Sequence, residues 1–187
     1  MKLIIAILFF VAMTVAPNAE NSTTIATDNI AHFTVNENFA FGDNYLLDID
    51  RDGKSDFSFT TASIYNEGAV YNKYMIHALQ NHEILNAAEH AAVLENNEVI
   101  GTDMDASIHW TSGAGQIIEQ IITNEGTNWF GTWSGGRSQY VGIKVNKNGN
   151  AYYGWVEIIV DPATEQAYVV DYAINRTPNT SISAGQF

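Results

Sequence analysis

The sequence predicts an all-β fold, an antiparallel β-sandwich with one short helix, and three observations carry that prediction. Runs of extended, half-buried character recur along the chain with turn residues between them. Those runs are rich in β-branched and aromatic residues, as in Phe57-Ser58-Phe59-Thr60-Thr61, where large apolar and small polar side chains alternate. Helical composition is confined to residues 87–94, Ala-Ala-Glu-His-Ala-Ala-Val-Leu, which Asn96-Asn97 ends after about two turns.

In chain order, strands are expected at 32–35, 39–41, 57–64, 69–79, 116–123, 137–145, 151–160 and 166–174. Asn148-Gly149-Asn150 supplies a hairpin turn between two of them and Asp161-Pro162-Ala163-Thr164 the next, which makes an antiparallel meander. Within 151–160, alternation places Tyr153, Trp155, Glu157 and Ile159 on one face. Tyr152, Gly154, Val156, Ile158 and Val160 take the other, which is the expected core face. Gly154 between two aromatics is suited to close approach by a neighbouring backbone or ring. Tyr168, Val170 and Tyr172 are expected on one face of the following strand, stacked across the ladder on Tyr153 and Trp155.

Residues 1–19 start with Lys2 and continue through an apolar run, Leu3 to Met13, that is short for a bilayer. They read as a secretory signal peptide removed near Ala19, with 20–30 a flexible lead-in and 31–187 a single domain. The expected location is therefore secreted or periplasmic, with no membrane span after signal removal. The chain has no cysteine, so an exported fold cannot use disulfides and relies on its core and any ion it binds. A formal charge of −13 opposes nucleic acid and anionic lipid as partners, since both are polyanions. A monomer is expected.

The most specific stretch is Asp48-Ile49-Asp50-Arg51-Asp52-Gly53-Lys54-Ser55-Asp56-Phe57. Carboxylates this close repel one another unless a cation sits among them. Read as a calcium loop, Asp48, Asp50 and Asp52 occupy positions 1, 3 and 5, and Gly53 permits the sharp turn. Lys54 offers its backbone carbonyl at position 7, and Asp56 closes the shell at position 9. Position 12, a bidentate Glu in helix-loop-helix sensors, is Phe59 within a strand-like run, which excludes that class. The ten-residue pattern instead resembles the DxDxDGxxDF loops of extracellular β proteins such as FG-GAP and thrombospondin type 3 repeats. That resemblance implies a structural Ca²⁺ between strands.

A second pattern runs through the last 50 residues: Trp133 among glycines, Tyr140-Val141-Gly142-Ile143-Lys144-Val145, Tyr152-Tyr153-Gly154-Trp155-Val156-Glu157-Ile158, Asp171-Tyr172-Ala173-Ile174-Asn175, and Ile182-Ser183-Ala184-Gly185. It resembles a β domain of secreted bacterial proteins, of the kind that often end in a PEP-CTERM sorting tail. The resemblance extends back to the aspartate loop and implies fold, export and bacterial origin, with no chemistry attached. Here the sequence runs to Phe187 without such a tail, so release as a soluble protein is expected.

Other candidate chemistry is thinner. His82, Asn86 and His90 would share a helical face, but the spacing is not the His-Glu-x-x-His of a zinc helix, and His82 to His90 would span about 12 Å. The runs Ser112-Gly113-Ala114-Gly115 and Gly131-Thr132-Trp133-Ser134-Gly135-Gly136 match neither a nucleophile elbow nor a phosphate loop. Glu119, Glu125 and Glu157 could serve a hydrolase only if two of them meet in space. The leading expectation is a secreted, calcium-stabilised and non-catalytic β-sandwich module. An alternative is a glycan or surface-matrix adhesion module, with Trp110, Trp129 and Trp133 in glycine-rich loops stacking on sugar rings. A secreted hydrolase using paired carboxylates is the third reading.

Overall fold

A computed structural model describes residues 29–187. The signal peptide and most of the lead-in expected from the sequence lie outside the described residues. Fourteen strands and no helix are found among those described: β1 (Ile30–Phe39), β2 (Asn44–Leu47), β3 (Phe57–Asn66), β4 (Ala69–Ala78), β5 (Glu83–Ala87), β6 (His90–Ala91), β7 (Val99–Ile100), β8 (His109–Thr111), β9 (Ala114–Thr123), β10 (Gly126–Phe130), β11 (Gln139–Lys147), β12 (Asn150–Asp161), β13 (Gln166–Asn175) and β14 (Ile182–Ser183). The all-β expectation holds, and the long strands from β3 onward fall near the expected segments; the runs expected at 32–35 and 39–41 are instead one strand, β1, which ends at Phe39 and leaves Phe41 in the following turn.

The layers differ from the expected sandwich. Twelve strands form one sheet in the order β1-β13-β12-β11-β5-β6-β9-β4-β3-β2, with β10 beside β9 and β8 beside β5, while β7 and β14 form a separate ribbon. The two ends of that order, β1 and β2, are consecutive in the chain and come together, so the sheet curls almost closed. One pair, β6 with β9, is parallel, so the meander is interrupted and the sheet is mixed.

Alternation around the curl fills the interior. Phe39, Phe57, Phe59, Tyr74, Ile76, Ile143, Val156, Ile158 and Val169 are buried there together. On the outside of β11, β12 and β13 a second cluster gathers Leu85, Leu94, Ile100, Tyr153, Trp155, Ala173 and Ile182, partly beneath the β7–β14 ribbon. The β12 strand is thus buried on both faces, and Trp155 belongs to the outer cluster while Val156 and Ile158 belong to the inner one. The expected stacking of Tyr172 on Trp155 is corrected: Trp155 is opposite Ala173 and Tyr172 opposite Val156, so Tyr172 turns inward, its ring 5.0 Å from that of Phe33.

Turn chemistry follows the sequence. Lys147 pairs with Asn150 around Asn148 (φ 54°) and Gly149 (φ 78°), a two-residue hairpin with both central residues left-handed. A Cβ on Gly154 would fall against the Ala173 carbonyl and the Ile143 side chain, which is the close approach expected at this position.

The expected helix over 87–94 is absent, and the reason is tertiary. Ala88 adopts φ 55°, turning the chain so that Ala91 and His90 pair back on Asn86 and Ala87. Ala91 and Ala92 are buried, and the missing side chain of Gly115 leaves room for the Ala91 backbone. Small residues here serve close strand approach, which overrides their helical propensity.

A candidate cation centre at the aspartate loop

The loop between β2 and β3 is shaped by its own carboxylates. The N–H groups of Asp52 and Gly53 donate to Asp48 at 3.1 and 2.7 Å, and the Asp52 N–H is also 3.1 Å from Asp50 Oδ1. Gly53 lies at φ 88° and Arg51 at φ 57°, so the tight turn uses left-handed backbone at two positions. Asp56, 3 % exposed, donates its own N–H to the Leu47 carbonyl at 2.8 Å and accepts the Ile49 N–H on Oδ2 at 2.9 Å. These bonds cross the neck of the loop.

The fold then tethers the loop from outside. His82, buried ahead of β5, lies with Nε2 2.9 Å from Asp56 Oδ1. Lys147, at the end of β11, brings its ammonium to 2.6 Å from Asp50 and 3.0 Å from Asp52. Arg51 sets its guanidinium 3.8 Å above the Phe33 ring, and Ile49 is fully buried in the inner core. The loop therefore lies across one end of the curled sheet and joins both halves of it.

Of the five residues expected to hold a cation, the fold brings Asp48, Asp50 and Asp56 together, with one carboxylate oxygen from each within 4.8 Å of the others. Asp52 accepts the Lys54 N–H at 3.1 Å and faces Lys147. Its pKa is lowered, chiefly by the Lys147 hydrogen bond, and that of Lys147 is raised, first by Asp50 and then by Asp52. The Lys147 ammonium faces two of the four carboxylates, Asp50 and Asp52, and Asp48 accepts only backbone N–H groups in the bonds described, so the cluster keeps an excess of carboxylate oxygens over the ammonium beside it.

No protein-family model, curated protein or solved structure matches this chain.

The tryptophans do not form one platform. Trp133 is 1 % exposed in the inner core with its Nε1–H on the Ala91 carbonyl at 3.1 Å, which corrects the expectation that its glycine-flanked loop reaches outward. Trp129 is half-buried, 5.4 Å from the Tyr74 ring. Trp110 belongs to the outer cluster, its Nε1–H on the Gly101 carbonyl and the Lys144 ammonium 4.9 Å from its ring centre. Glycine around Trp133 thus admits an inward ring rather than an exposed one.

The candidate acids are also placed. Glu119 on β9 pairs with Lys73 at 3.8 Å, Glu157 on β12 accepts a hydrogen bond from Ser138, and Glu125 lies in the exposed turn between β9 and β10. His82 and His90 are separated in role: one is buried on Asp56, the other exposed on β6. Sequence reasoning missed His82 and Lys147 as partners of the loop. Lys147 is 97 residues from Asp50, and nothing local signals a contact at that distance.

Proposed function

We propose that this protein is an exported, non-catalytic β module in which Ca²⁺ at the aspartate loop fastens one end of the curled sheet. The observation that carries the reading is the convergence of Asp48, Asp50 and Asp56 in a loop already bent by its own N–H groups. Two carboxylate oxygens within 4.8 Å of each other repel by about 1 kcal/mol or more in water and about 3 kcal/mol or more at a partly buried site. A hard divalent cation with oxygen ligands converts that repulsion into attraction, and the carbonyl of Lys54 and the side chain of Asp52 complete the shell. Ca²⁺ is favoured over Mg²⁺ because six to eight ligands on a loop suit the larger ion's flexible geometry. The likeness to strand-joining DxDxDGxxDF loops supports a structural role, and the apolar segment at 1–19 supports export.

The test is thermal or urea unfolding with Ca²⁺ and with chelator. For a dissociation constant of about 0.1 to 1 mM, 1 mM Ca²⁺ stabilises the fold by roughly 0.4 to 1.4 kcal/mol. Mg²⁺ gives less, and Asp50→Ala loses the response. An unchanged midpoint, or an equal response in Asp50→Ala, removes the calcium reading.

A further inference from the structure

Beneath the aspartate loop, a cavity of about 210 Å³ opens at the end of the sheet between the inner faces of β1, β13, β12 and β11. Its walls are made largely by Ala31, Ile49, Val145 and Ile174, all buried members of the inner core. Ala31 and Ile174 are register partners across β1 and β13, so two neighbouring strands present a smooth apolar surface to it.

The rim is charged. Asp50 and Lys147 stand there bonded to each other at 2.6 Å, and Lys147 is shared with Asp52, so this side of the rim belongs to the acidic loop. Arg176, just after β13, differs. Its backbone N–H donates to the Asn29 carbonyl at 2.7 Å, while its guanidinium has no hydrogen-bond or ion-pair partner among the described residues. An apolar pit lined at its edge by the exposed Arg176 is complementary to a short amphiphile carrying a planar anion. Guanidinium takes a carboxylate through two parallel N–H···O bonds, and the chain gains by leaving water.

We propose that this cavity binds short-chain aliphatic monocarboxylates, with Arg176 holding the head group and Ile49, Val145 and Ile174 enclosing the chain. At about 30 Å³ per water-sized group, 210 Å³ admits roughly seven such groups, enough for the six carbons of hexanoate with its carboxylate oxygens at the opening. The cavity shares Asp50 and Lys147 with the loop, yet binding does not require Ca²⁺, so the two readings fail separately.

The experiment is a titration of the isotope-labelled protein with hexanoate in the presence of chelator, followed by methyl resonances. The expected result is saturable shifts of Ile49, Val145 and Ile174, with hexanol bound about tenfold more weakly and hexylammonium not at all. Arg176→Gln, at an exposed position whose backbone bond is retained, weakens hexanoate about tenfold and leaves hexanol unchanged. No saturable shift at these methyls, equal binding of hexylammonium, or an Arg176→Gln variant that binds hexanoate as the parent does would each overturn the proposal.

Discussion

The Nε2–H of His82 donates to Oδ1 of Asp56, 2.9 Å away, in a setting where both side chains are buried. The proton's position follows from the other ring nitrogen, because Nδ1 accepts the Asn146 N–H at 3.1 Å. His82 thereby links the strand end at Asn146 to the last aspartate of the loop, across elements far apart in sequence.

Removing that link leaves a buried carboxylate oxygen without its donor. His82→Ala is expected to cost about 1 to 3 kcal/mol in urea unfolding, the penalty for an unsatisfied buried acceptor. Added Ca²⁺ should recover part of the loss, since the ion supplies an alternative partner to the same loop. A variant as stable as the parent with and without the ion refutes this role.

Lys147 occupies the ground that a cation would contest. Its ammonium stands against Asp50 and Asp52, so a divalent ion must displace it or share those oxygens. Lys147→Met is therefore expected to bind Ca²⁺ roughly fivefold more tightly in a calorimetric titration, the order expected from removing one nearby positive charge. Weaker binding would show that Lys147 assists the ion instead of competing with it.

Trp133 and Trp155 are both 1 % exposed, one in each apolar cluster. Trp133 has its indole N–H on Ala91, and Trp155 has its own on the Gln186 carbonyl at 3.1 Å. Each Trp→Ala change should cost about 3 to 5 kcal/mol, measured by chemical unfolding. A mild effect at Trp133 alone would contradict its place in the core.

Tyr74 makes stability fall at high pH. Burial, then Glu165 and Asp43, push its hydroxyl up to about 12. The unfolded chain releases that proton near pH 10, so the stabilisation is complete below pH 10. It is lost as pH climbs to 12, by about 2 to 3 kcal/mol in all. Tyr140 and Tyr172 are shifted the same way by burial, so Tyr74→Phe should reduce the alkaline loss without abolishing it. Melting temperatures between pH 9 and 12 check this, and an identical profile in the variant rules it out.

The long strands and hairpins were legible from local chemistry. Alternation in 57–64 and 151–160, and Asn-Gly at 148–149, act through backbone geometry that needs no distant partner. The short strands β2, β5, β6, β7, β8, β10 and β14 were not, because runs of two to five residues carry no readable period and are held only by neighbours. Residues 87–94 show the conflict directly: alanine favours helix locally, but the space beside Gly115 favours a tight strand turn.

At the loop the division is the same. Spacing marked Asp48, Asp50, Asp52 and Asp56, with Gly53 at the turn, as one acidic loop, and Asp48, Asp50 and Asp56 do converge within 4.8 Å. Closing the sheet decided the rest. It turned Asp52 toward Lys147, buried Asp56 on His82, drew Trp133 inward and left Arg176 at the mouth of an apolar cavity. Such contacts join residues many tens of positions apart, and their geometry exists only once β1 and β2 meet and the strands between them set the distance.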